Sequence, residues 1–126
     1  MVIFDANMIL RYLLNDNEAM VKKAKHYLIA GNVYVTIEVI AEVVYVLKGV
    51  YKMERPILVD KVTDFLDLVD CKDLKVLHMA LSTYGEHNLD FVDCVLYAYN
   101  RIDGCEIATF DKKLLQVLGN VEKELI

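Results

Sequence analysis

Apolar residues open the chain as one short run, Val2-Ile3-Phe4, which breaks off at Asp5 and Asn7. A short β-rich run bounded by polar residues predicts a strand over 2–4. The period then changes. An apolar stretch near 8–14 reads as a helix, and Val21, Ala24 and Leu28 predict a helix over 18–30, closed by Gly31-Asn32 in the manner of helix C-caps. Val33-Tyr34-Val35 reads as a second strand. Thr36 is placed to cap a helix from 37 to about 48, which is apolar almost all round and so expected to be buried. Pro56 fits the first turn of another helix, with Val62, Phe65, Leu66 and Val69 on one face. Residues 74–77 read as a short strand, and Leu77, Ala80, Leu81 and Tyr84 then follow at helical spacing. A helix over about 91–102, Gly104, a strand over 105–109 (CEIAT), a last helix near 112–118 and an edge strand in the terminal ELI complete the pattern. Strands alternating with helices predict a single α/β domain over 1–126. The expected fold is a three-layer α/β/α sandwich whose mainly parallel sheet has four to five strands. In such sheets ligands sit at the carboxyl ends of the strands.

Composition narrows the class. A chain of 126 residues, 56% hydrophobic with one Pro and five Gly, suits one compact fold with short connections. No run reaches the roughly 18 apolar residues of a membrane helix, so no membrane partner is expected. No leader pattern opens the chain, so secretion is not expected either. Cys71, Cys94 and Cys105 form no CxxC or Cys/His cluster. They read as reduced, mostly buried thiols of a cytoplasmic protein rather than as zinc ligands. The net charge of −5 argues against a nucleic-acid partner unless several acids converge on a metal.

Placement of the acids therefore decides more than their total. Asp5 and Asp111 each follow a strand candidate, while Glu42 and Asp93 interrupt apolar helices with few basic residues nearby. Charges in apolar settings are seldom left unpaired, and a hard divalent cation with oxygen ligands, Mg²⁺ or Mn²⁺, would supply one common partner. Plainer roles exist for each. Asp90 and Asp111 suit helix N-caps, Asp93 suits a first turn, and Glu42 shares a face with Glu38 and fits the wetter edge of its helix. His26, His78 and His87 show no ligand spacing, and the tyrosines read as core and rim packing.

The stretches FDANMILRYLLNDN, EVIAEVVYVLKGVYKM and LDFVDCVLYAYNRIDGCEIATFDKKL together resemble the PIN domain, and within it the VapC-type toxins of toxin–antitoxin pairs. The resemblance covers nearly the whole chain. It implies an acidic quartet at Asp5, Glu42, Asp93 and Asp111, the last two 18 residues apart, with Asp90 the alternative to Asp93. It further implies Mg²⁺- or Mn²⁺-dependent endoribonuclease activity, with metal holding Asp5 and with Asn7 and Thr109 orienting the carboxylates. Arg11, Lys112 and Lys113 are candidates for the RNA backbone. A phosphohydrolase of the haloacid dehalogenase type also ends its first strand in Asp, but wants a second acid where this chain has Asn7. A non-catalytic binding module has no need of four acids. A stand-alone RNA-processing nuclease is the nearer alternative to a toxin. The expected partners are RNA, a second copy in a homodimer, and a small antitoxin protein seated near Tyr12, Leu13 and Tyr45.

Overall fold

The computed structural model describes residues 1–119, so the terminal ELI lies outside the described residues. The chain divides into two compact units, Met1–Leu74 and a second that begins at Lys75.

In the first unit, β1 (Val2–Ile3) leads into α1 (Ala6–Leu14) and α2 (Glu18–Ala30). Then come β2 (Val33–Tyr34), α3 (Ile37–Gly49) and α4 (Arg55–Leu66). The strands pair in parallel with Val2 opposite Val33 and Ile3 opposite Tyr34. Asp70 extends the ladder by a single bridge: its N–H donates to Val33 O at 2.8 Å, and Val35 N–H donates to its carbonyl at 2.9 Å. The helices start where the sequence supplies acceptors for unpaired N–H groups. Asp5, Asn17 and Thr36 accept from Met8, Met20 and Val39. Each such cap contributes about 1 kcal/mol. The α2 helix stops at Gly31 (φ 81°), followed by Asn32 in the left-handed region (φ 65°). Phe4, Ile9, Val35, Ile40, Leu47, Leu58 and Phe65 are fully buried. α1 packs on α2, α3 and α4, and α3 on α4.

The α3 helix is not buried all round, as its composition predicted. Ile40, Val43, Val44 and Leu47 face inward at spacings of three and four, while Glu38, Glu42 and Lys48 lie in water and Tyr45 is 76% exposed. One helical stripe satisfies the core, and the remaining apolar residues of α3 stay outside it.

The second unit is helical: α5 (Leu74–Glu86), α6 (Phe91–Asp103) and α7 (Lys112–Leu118), with α6 and α7 packed together. Two strand expectations fail here. Residues 74–77 open α5, because Val76, Leu77, Ala80, Leu81, Thr83 and Tyr84 are buried on one helical face that begins inside that stretch. Residues 105–109 form no ladder; the Cys105 carbonyl, which a ladder would use, accepts instead from the Asn100 side chain at 2.9 Å. The described residues thus hold an α/β chain of seven helices and a two-stranded parallel sheet, not the four to five strands of a three-layer sandwich. Of the cysteines only Cys94 is buried; Cys71 is half-buried and Cys105 exposed. Among the described residues no helix is long and apolar enough to cross a membrane.

Candidate functional site

In the second unit, α6 and α7 bring Asp93 and Asp111 into electrostatic contact. Asp90 occupies the N-cap position of α6 without a side-chain cap hydrogen bond. Asp93 follows in the first turn, half-buried, with Phe91 and Cys94 beside it in the core. Burial pushes the Asp93 carboxyl above the usual carboxylate range, and the charges of Asp111 and Asp90 push it the same way, with no cation among the influences on it. The favourable helix dipole at a first turn is therefore outweighed.

Asp111 is held both at its side chain and at its backbone N–H. Its Oδ1 accepts from Leu114 N–H at 2.9 Å and so caps α7, and its own N–H donates to Thr109 Oγ1 at 3.0 Å. Upstream, Asn100 pins the Cys105 carbonyl just after the left-handed Gly104 (φ 71°) that ends α6. Arg101 lies 5.0 Å from the centre of the Tyr97 ring and donates to the Val117 carbonyl at 3.3 Å, fastening α7 to α6. Sequence reasoning did not single out Asn100 or Arg101. The available signal was an amide and a guanidinium in the last turn of an amphipathic helix, just before a Gly cap. Asn88, Leu89, Asp90, Asp93, Asp111, Lys112 and Lys113 surround a concavity of about 320 Å³. Three carboxylates and two ammonium groups in one lining make it a place for a cation together with an anion.

The first unit carries the other expected acids. Asp5 is exposed and caps α1, its Oδ1 accepting from Met8 N–H at 2.9 Å. The helix terminus thus accounts for why an acid follows the apolar run. Asn7 is exposed in the first turn of α1, and Glu42 is exposed on α3, the helix on which α1 packs. Neither Asp5 nor Glu42 is the buried charge that its neighbours in sequence implied. Arg11 is committed within the unit, at 2.6 Å from Asp16 and 3.2 Å from the Tyr51 hydroxyl, with its Nε buried and unpaired. Among the described residues no group of three or more His, Cys, Asp or Glu side chains stands ready to hold a metal ion. Within the second unit, Asp90 and Asp111 both act on Asp93; within the first, Asp5 caps α1 and Glu42 is exposed on α3.

Tyr12 and Leu13 line a second concavity of about 300 Å³ in the first unit, with Asn15, Lys25, Lys61, Asp64, Phe65 and Leu68. Tyr12 and Phe65 meet there in a tilted contact, ring centres 5.8 Å apart and planes inclined at 52°. Tyr45 is not part of that lining.

No curated protein and no solved structure matches the chain. A family model does: the PIN domain model aligns with residues 2–119, nearly the whole of the chain, and the chain belongs to the PIN domain family.

Proposed function

We propose that this protein is a Mg²⁺- or Mn²⁺-dependent endoribonuclease that hydrolyses RNA phosphodiester bonds. PIN domains are generally nucleases and typically use divalent metals. The observation that carries the reading is the Asp93–Asp111 pair beside Lys112 and Lys113 around one polar concavity. The donor set fits a hard divalent cation, because the acids offer only carboxylate oxygens and the charge crowding on Asp93 is what a cation relieves. In this reading Asp93 and Asp111 hold the ion with Asp90 beside them, and the family resemblance adds Asp5 and Glu42 to the acids the activity needs. The bound ion supplies a water of lowered pKa and a counter-charge for the phosphate oxygens.

The chain's own residues do the rest. Leu114 N–H occupies one oxygen of Asp111 and fixes the plane of the carboxylate, leaving the other oxygen as donor. Thr109, through the Asp111 N–H, sets the approach of the backbone to that position. Lys112 and Lys113 take the phosphates flanking the scissile bond. Asn7, next to Asp5 in the first turn of α1, orients the acids of its unit.

The control of such an activity belongs to the same reading. We place the protein in the cytoplasm, as a homodimer and as the toxin of a VapBC-type pair. Its antitoxin would lay an apolar segment along α1 and α4, where Tyr12, Leu13, Phe65 and Leu68 line a groove. Co-expression with the small neighbouring reading frame tests this half. Binding and a fall in RNase activity are expected; a neighbour that neither binds nor inhibits leaves a stand-alone RNA-processing nuclease. Incubation of the purified protein with unstructured RNA in Mn²⁺ or EDTA tests the activity itself. Cleavage in Mn²⁺ alone, lost in Asp93→Asn, is expected, and equal cleavage by both proteins refutes the assignment.

A further inference from the structure

Phe110 stands fully in water, at 102% relative exposure. Between 104 and 119 it is the one large apolar side chain so exposed. Its backbone is held on both sides: Asn100 holds the Cys105 carbonyl upstream, and the Asp111 N–H closes on Thr109 Oγ1 across the phenylalanine itself. A fixed turn thus presents the ring outward, immediately before Asp111, Lys112 and Lys113 of the polar concavity. We propose that Phe110 is a stacking platform for a nucleobase of single-stranded RNA at the nucleotide beside the cleaved bond, with Lys112 and Lys113 on the adjoining phosphates.

Two physical arguments select a base over a protein side chain. A protein-docking surface gathers several apolar residues into one patch. Along 108–113 the exposed residues besides Phe110 are Ala108, Asp111, Lys112 and Lys113, so this segment carries one ring beside charges. An isolated aromatic face beside cations is the pairing that single-stranded nucleic acids use, the cations following the backbone and the ring taking a base of any identity. Stacking on a phenylalanine accepts every base, so this subsite would favour unpaired over duplex RNA rather than one sequence over another. The inference rests on the ribonuclease reading above and adds a substrate subsite to it.

The chain has no tryptophan, so Phe110→Trp introduces a single fluorophore at the position in question. It is titrated with a short unstructured oligoribonucleotide in EDTA at low salt, where no cleavage intervenes and phosphate contacts are strongest. Anisotropy of a labelled copy of the same RNA reports binding independently. Quenching of the tryptophan by RNA is expected, with none from inorganic polyphosphate, which offers phosphates without bases. Phe110→Ala should weaken RNA binding roughly five- to 150-fold, and Phe110→Tyr should restore it. Because the ring is solvent-exposed, both variants should fold, and circular dichroism checks this. Unaltered emission while anisotropy reports binding, or full affinity in Phe110→Ala, overturns the subsite and leaves the nuclease reading intact. Absence of any RNA binding by the wild-type protein removes both. An emission change seen only on adding the protein of the neighbouring reading frame reassigns the ring to a protein contact and also overturns the proposal.

Discussion

Replacing Asp93 by Asn should stabilise the metal-free protein, although it removes a charge from a helix terminus where negative charge is normally welcome. A carboxylate in the first turn gains about 0.3–1 kcal/mol from the helix dipole. Against that stand three costs. Asp90 lies three residues away on the same helix, a like-charge pairing that costs roughly 0.2–0.5 kcal/mol. Asp111 adds a second repulsion, and half-burial removes hydration from the charged form. All three raise the Asp93 pKa, with burial the largest cause, so the sum favours the neutral side chain. Because Asp93 retains contact with water, screening limits the net gain to a few tenths to about 1 kcal/mol. For a domain of this size that is roughly 1–5 °C in melting temperature. The pH dependence fixes the sign. An acid whose folded pKa is raised destabilises the fold fully above that raised value, and the cost disappears as pH falls toward the ordinary carboxylate value. Thermal melts in EDTA should therefore show Asp93→Asn above wild type at pH 7 to 8. The gap should close as the pH is lowered through the interval just above the usual Asp range. Asp5→Asn serves as the control, since Asn caps a helix about as well as Asp and should leave the melting temperature nearly unchanged. A lower melting temperature for Asp93→Asn, or a gap that does not vary with pH, would refute the reasoning.

Asp111 separates capping from charge: Asp111→Ala should cost about 1 kcal/mol by loss of the α7 cap, while Asp111→Asn should hold stability, as urea titration will report. Millimolar Mn²⁺ should raise the wild-type melting temperature, by about 2.7 kcal/mol of added stability at one hundred times its Kd, and should leave Asp93→Asn unmoved. An unchanged wild-type transition would count against a metal site. Light scattering at tens of micromolar should give the mass of a dimer, the commonest closed assembly for a small domain with exposed apolar residues such as Ile3, Tyr45 and Ile57; a monomeric mass would speak against it.

Most helices were legible in the chain because each combined a periodic apolar face with chemical punctuation. Thr36, Pro56, Gly31 and Gly104 mark helix ends in the sequence and in the structure alike. Short apolar runs were harder to read. Residues 74–77 resemble a strand in isolation, and only the burial of Ala80, Leu81 and Tyr84 at matching spacing reveals that the helix begins at Leu74. The stretch 105–109 has strand-forming residues, yet a side-chain amide competes for its first carbonyl. The acids divided along similar lines. Sequence neighbours made Glu42 look buried, but on a helix the neighbours at one and two residues point elsewhere, and Glu42 shares its solvent face with Glu38. Asp93 alone lies in the apolar setting its sequence implied. Asp5, read as a charge in need of a metal, already has a partner in the first turn of α1.

The ribonuclease claim is tested most directly with Asp5→Asn and Asp111→Asn together, because both variants keep their helix caps and so remove charge without removing structure. Purified wild type and both variants are incubated with unstructured RNA in Mn²⁺ and in EDTA, alongside melts that verify folding. The account predicts cleavage by wild type in Mn²⁺ only and none by either folded variant. Cleavage by both variants at the wild-type rate, or by wild type in EDTA, would contradict it.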